Sequence, residues 1–235
     1  MAEHIAWCVH ALREGDDAAK TAAARGLSDR AALFENRPEN RLLIAEVGGI
    51  PPLVELLRAG SAEAKEHAAR ALGNLALHPA NRILISAAGA TAPLVELLGD
   101  WSAAGKCEAA CALRSLACND ANKILIAEAG AIPPLVQLLH DGRVKSSAAW
   151  ALHALVHNND TNAVAIAVAF GLEAVVQLAR RGLVTFKWHA LLSNASTPAK
   201  RKAALVVAAL LGGCVPDSAR DRVPDVIKAA IGSYL

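Results

Sequence analysis

Aromatic residues make up only 3% of the 235-residue chain, which carries a single Tyr, three Phe and four Trp. A core of stacked large rings is therefore excluded, as is an aromatic stacking row for single-stranded nucleic acid. Charge of one sign is also lacking. Twenty-four Lys and Arg face 22 Asp and Glu, a formal net charge of +2, which gives none of the one-sided field that nonspecific nucleic-acid binders use. The five cysteines, Cys8, Cys107, Cys111, Cys118 and Cys214, form no CxxC motif and are odd in number. No secretory leader opens the chain, so reduced thiols in an intracellular compartment, cytoplasmic or nuclear, are expected instead of a disulfide scaffold. The apolar run from Ala203 to Val215 falls short of the roughly 20 residues a membrane-spanning helix needs. Position 2 is Ala, and the end Ile231-Gly232-Ser233-Tyr234-Leu235 has no prenylation cysteine, so direct membrane insertion or lipid anchoring is not expected.

What is abundant is alanine and aliphatic residue: the hydrophobic fraction is 54%. That is ample for a substantial core built from small side chains in closely packed helices. The arrangement is periodic. The strings NRLLIAEVGGIPPLVELL from Asn40, NRILISAAGATAPLVELL from Asn81 and NKILIAEAGAIPPLVQLL from Asn122 align without a gap, each 41 residues after the last. A fourth, NAVAIAVAFGLEAVVQLA, begins 40 residues later at Asn162 and loses the prolines.

Each copy predicts a short helix starting near the Asn, a break at Gly48, Gly89 or Gly130, and a second helix opened by Pro52, Pro93 or Pro134. Glycine tolerates the left-handed backbone of a sharp turn, and proline is accepted in a first helical turn because its missing N–H has no intrahelical partner there. After a polar break a third, alanine-rich helix follows. In the first unit it runs from about Ala62 to Leu77, with Ala68, Ala71, Leu72 and Leu75 on one face. Its counterparts centre on 107–117, 146–156 and 187–194. A unit of this size closes no core alone, so successive units must bury each other's apolar faces.

The chain is thus expected to be one all-α array over 1–235. It comprises an N-terminal partial repeat or cap (1–39), repeats at 40–80, 81–121 and 122–161, a divergent repeat at 162–197 and a C-terminal helical cap at 198–235. The cap aligns with the latter part of a repeat: Leu12 matches Leu57, Gly15 matches Gly60, Lys20 matches Lys65 and Leu27 matches Leu72. Asn36-Arg37-Pro38-Glu39 is read as a surface loop. The C-terminal stretch 198–235 holds six basic and three acidic residues, a locally positive, solvated end.

The connection from an apolar helix through Ala-Gly to a Pro-led helix, and the stretch Ala68-ARALGNLAL, resemble the armadillo repeat family. The resemblance implies a right-handed superhelix of three-helix repeats whose third helices line a groove that holds an extended partner segment. Some members use a Trp and an Asn four residues apart on the third helix, the Asn engaging peptide backbone. At the Asn position this chain has Asp29, Asn74, Ser115, Ala154 and Asn194; four residues earlier it has Arg25, Arg70, Cys111, Trp150 and Ala190. No repeat keeps the complete pair, so a regular importin-like backbone ladder is not carried over.

The third-helix columns instead suggest a peptide surface formed by Arg25, Asp29, Arg70, Asn74, Arg114, Ser115, Trp150, His153 and Asn194. Its arginines would select acidic or polar groups and Trp150 would anchor an apolar one. Nothing in the sequence spells an active site. There is no G-x-S-x-G elbow, no P-loop and no G-x-G-x-x-G fingerprint. Cys107 and Cys111 are four residues apart, but two thiols do not supply the four ligands of a structural zinc site. The reading is a monomeric, non-catalytic adaptor or scaffold for protein or peptide, without cofactor or metal. A structural assembly module using outer or terminal surfaces is the alternative, and nucleic-acid binding ranks below both.

Overall fold

The computed structural model describes residues 2–32, 38–99 and 101–169. The chain divides into two units, Met1–Leu155 and Val156–Leu235, and among the described residues every regular element is helical. The first unit opens with α1 (Ala2–Glu14) and α2 (Asp17–Ala32), which stand as the second and third helices of an incomplete repeat. Three-helix units follow: α3 (Pro38–Glu46), α4 (Ile50–Ala59), α5 (Ala62–Leu75); then α6 (Pro79–Ala87), α7 (Thr91–Glu96), α8 (Ala103–Leu116); then α9 (Asp120–Glu128), α10 (Ile132–Leu138), α11 (Lys145–Val156). Pro38 and Glu39, expected in a loop, open α3 instead. Proline costs nothing in a helix's first turn, so the helix begins ahead of its aligned Asn. In the second unit the described helix covers residues 160–169. The proposed helices at 187–194 and 198–235 lie outside the described residues.

The glycine punctuation is where the sequence puts it. Gly48, Gly89 and Gly130 have φ of +77°, +78° and +81°. At Gly89 the chain reverses after α6 with Gly89 N–H donating to Ser86 and Ala90 N–H to Ile85, satisfying carbonyls that the ending helix leaves open. Gly60 and Gly73 are needed for space: a Cβ at Gly73 would stand 3.1 Å from the Ala112 Cα, so α5 and α8 approach almost backbone to backbone. The third-helix starts are capped by side chains, Ser61 accepting from Ala64 N–H and Ser102 from Gly105 N–H.

The core is the aliphatic face read from the sequence. Ala68, Ala71, Leu72 and Leu75 are all buried, together with Leu53, Leu57, Leu94, Leu97, Leu113 and Leu116. Between repeats, two sets of polar rungs join this core. The aligned asparagines are buried and span successive first helices: Asn81 Nδ2 donates to the Arg41 carbonyl at 2.9 Å and the Leu75 carbonyl at 3.1 Å, and Asn122 Nδ2 to those of Arg82 and Leu116, both at 3.2 Å. The arginines after Asn40 and Asn81 tie off the preceding third helix, Arg41 Nε donating to the Ala31 carbonyl and Arg82 Nε to that of Ala76, whereas Lys123 after Asn122 pairs with Asp120 of its own helix at 2.6 Å. In the second unit, Asn162 N–H donates to Asn159 Oδ1 at 2.9 Å, repeating the bond of Asn122 N–H to Asn119 Oδ1.

A second clamp links the end of one repeat's second helix to the next repeat's glycine turn. Arg13 Nη2 donates to the Gly48 carbonyl and Arg58 Nη2 to the Gly89 carbonyl, each at 3.2 Å. The residue aligned with these arginines in the next repeat is Gly99, which is exposed. Restoring the clamp with Gly99→Arg is expected to stabilise the protein by about 1 kcal/mol. A little under half of that would come from the reduced freedom of the unfolded chain, and the rest from the charged hydrogen bond to the Gly130 turn. Chemical denaturation of Gly99→Ala beside Gly99→Arg separates the two contributions, and equal midpoints would show that no clamp forms.

Candidate functional site

The third-helix face is built from α2, α5, α8 and α11. At the α2–α5 seam an open depression of about 620 Å³ is lined by Asp17, Arg25, Asp29, Ser61, Glu63 and His67, among others. Arg25 and Asp29 are exposed there, on successive turns of α2. The His67 Nε2 lies 3.7 Å from Glu63 Oε1. Three carboxylates, Asp17, Asp29 and Glu63, and one guanidinium, Arg25, line this depression.

The next candidates are already engaged inside the fold. Arg70 Nε donates to Glu108 Oε1 at 2.9 Å, and Nη2 stands 2.8 Å from the same oxygen. This hydrogen bond pushes the Arg70 guanidinium above its ordinary value. Arg70 therefore joins α5 to α8 instead of presenting an unopposed charge. Asn74 Nδ2 donates back to Ser28 on α2, to the carbonyl at 3.2 Å and the hydroxyl at 3.4 Å. Ser115 is buried, and its hydroxyl donates to the Cys111 carbonyl one turn earlier, at 3.1 Å. These residues share the columns assigned from the sequence, yet their polar atoms serve the seams between repeats and their own helix.

Other polar contacts follow the same rule. The Ser102 hydroxyl donates to Glu66 across the α5–α8 seam, and Lys65 Nζ sits 4.9 Å above the Trp101 ring, a cation–π contact. At the far end, Trp150 is 58% exposed, with the His153 ring edge-on at 5.9 Å between centroids. Arg114 is half-buried. Asn194 lies outside the described residues. The structure brings together Arg25 with Asp29, and Trp150 with His153; it separates these two pairs by the engaged Arg70 and Asn74.

Sequence reading missed a row of exposed apolar residues on the first helices. Ile83 and Leu84 on α6 recur as Ile124 and Leu125 on α9, each between 46% and 60% exposed. The 41-residue recurrence of two apolar residues beside the buried Ile85 and Ile126 was the available signal. No helix among the described residues is long and apolar enough to cross a membrane.

Three-helix units, glycine reversals, proline-led second helices and inter-repeat rungs define a helical repeat scaffold of the right-handed α–α superhelix class. The Armadillo/beta-catenin-like repeat family matches three consecutive stretches, residues 37–77, 78–118 and 119–156, and the chain belongs to that family. Among solved structures, an engineered protein is 30% identical with a TM-score of 0.67, over 86% of this chain and 78% of that one. A computationally designed armadillo repeat protein for modular peptide recognition is 26% identical, with a TM-score of 0.66 over 93% of this chain and 86% of that one. A designed armadillo repeat protein in complex with the peptide (KR)4 is 27% identical, with a TM-score of 0.66 over 96% and 88%. No curated protein sequence matches the chain. The family is a protein- and peptide-binding scaffold, typically without catalysis.

Proposed function

We propose that the chain is a non-catalytic adaptor whose third-helix face receives an extended polar peptide, with Trp150 as its apolar anchor. The observation that carries this reading is the exposed Trp150 ring, set beside His153 on a third helix. Where a partner covers such a residue, interface energies concentrate on it. Designed armadillo repeat proteins of this fold, one for modular peptide recognition and one in complex with the peptide (KR)4, support a peptide as the ligand. The ligand's charge is of both signs. Asp17, Asp29 and Glu63 favour a basic side chain beside α2, while Arg114 and Arg25 favour carboxylates; Arg70, held by Glu108, contributes mainly to the seam.

Trp150→Ala is expected to weaken peptide binding at least 30-fold, the scale of a hot-spot truncation, with an unchanged far-ultraviolet circular dichroism spectrum. Affinity measured by calorimetry against a peptide selected from a random library checks this. Selected peptides that bind Trp150→Ala and the parent equally would overturn the groove reading.

A second reading rests on a different observation. The exposed Ile83, Leu84, Ile124 and Leu125 form an apolar strip along the first helices, suited to an assembly contact on that surface. Sedimentation at rising concentration distinguishes the readings: self-association lost in Ile83→Lys with Ile124→Lys supports the strip, whereas a monomer throughout supports the adaptor acting alone.

A further inference from the structure

Cys107 and Cys111 occupy successive turns of α8 and converge on one residue of α11. The Cys107 Sγ lies 3.1 Å from Ser147 Oγ, and the Cys111 Sγ lies 3.6 Å from the same oxygen. Both cysteines and Ser147 are partly exposed, so solvent and solutes reach them. Residues four apart on a helix have Cβ atoms about 5–6 Å apart. A disulfide requires about 3.5–4.5 Å between them, so these thiols cannot oxidise to each other without unwinding α8. Both sulfurs already stand within 3.6 Å of one oxygen, and metal–thiolate bonds of about 2.3 Å would let one atom join two sulfurs up to roughly 4.6 Å apart.

We propose that Cys107 and Cys111 form a two-coordinate site for a soft monovalent cation, copper(I), with the Ser147 hydroxyl donating its one hydrogen bond to one of the two thiolates. The choice of ion follows from the donors. Among the described residues no group of three or more His, Cys, Asp or Glu is arranged around a common point, which leaves zinc and the hard cations without a shell. Thiolates favour copper(I), and two of them satisfy it. On binding, each thiol releases its proton to solvent as its sulfur bonds the ion. No electrons are transferred, and the complex carries one negative charge.

Burial pushes the free Cys111 thiol up; the hydrogen bond to Ser147 and, more weakly, the Arg114 guanidinium act against that shift, while Cys107 and Glu108 reinforce it, the Glu108 carboxylate being held by Arg70. The site uses neither Trp150 nor the α2–α5 depression, but it shares Arg114 with the proposed peptide face.

The test is an anaerobic titration of the reduced full chain, carrying Cys118→Ser and Cys214→Ser, against the copper(I)–bicinchoninate complex. One ion per chain is expected to pass to the protein, with at least a tenfold loss of affinity in Cys107→Ser and again in Cys111→Ser. Uptake at parental affinity in either variant overturns the proposal, as does no uptake by the parent. X-ray absorption on the loaded parent gives a reading that needs no further variant. Two sulfurs and no other donor are expected, and a shell containing nitrogen or a third ligand overturns it.

Discussion

Leu72→Ala is expected to cost about 2–5 kcal/mol of folding stability, the range for truncating a buried leucine whose surroundings relax only partly. The residue is 1% exposed on α5, one turn from Ala68 and Leu75 and directly before Gly73, where α5 meets α8 at near-backbone distance. Such close approach leaves little freedom for neighbours to fill the vacated volume. Lys65→Ala on the same helix is the comparison. Losing its ammonium from above Trp101 removes about 0.5–1 kcal/mol, more than a bare surface lysine would, yet well below the leucine cavity. Urea unfolding of both variants and the parent checks this, and equal losses would reject the packing assignment of Leu72.

The repeat architecture was legible because its determinants are local. Gly89 reports a positive φ through its own lack of Cβ, and Pro93 marks a first helical turn through its own missing N–H. Leu72 and Leu75 report a buried face through their spacing on one helix. Each of these properties is carried within a window of a few residues.

The candidate site was less legible, since its determinants pair residues from different repeats. Arg70 and Asn74 stand in the right columns, but whether their donors are available depends on what faces them. Those partners, Glu108 and Ser28, are 38 and 46 residues away. A single helix pattern therefore assigned to a ligand the groups that bond the repeats together. The recurring Asn81 and Asn122 show the converse: in the sequence they mark the period, while in the fold their buried amides donate to the preceding repeat and join its framework. A polar residue repeated at the same place within an apolar string was the sequence signal for that role, because a buried amide persists only where the fold supplies its partners.

Asn81→Asp is expected to cost about 3–5 kcal/mol at neutral pH, although it changes the side-chain volume hardly at all. Asn81 is fully buried, and its Nδ2 points between the carbonyl oxygens of Arg41 and Leu75. Replacing that amide by a carboxylate turns two donated bonds into oxygen-against-oxygen contacts and buries a charge with no cation supplied to meet it. The protonated acid restores one O–H donor, so the folded state favours the neutral form and the introduced group's folded pKa rises above its unfolded value near 4. The folded variant then binds more protons than the unfolded chain between those two values, and its stability falls as pH rises through that window. The penalty relative to the parent is complete above the folded pKa and shrinks on acidification towards about pH 4. Denaturant unfolding of parent and variant at a series of pH values measures the difference directly. A small, pH-independent loss would show that the amide fills space without serving as the donor that joins the first helices of adjacent repeats.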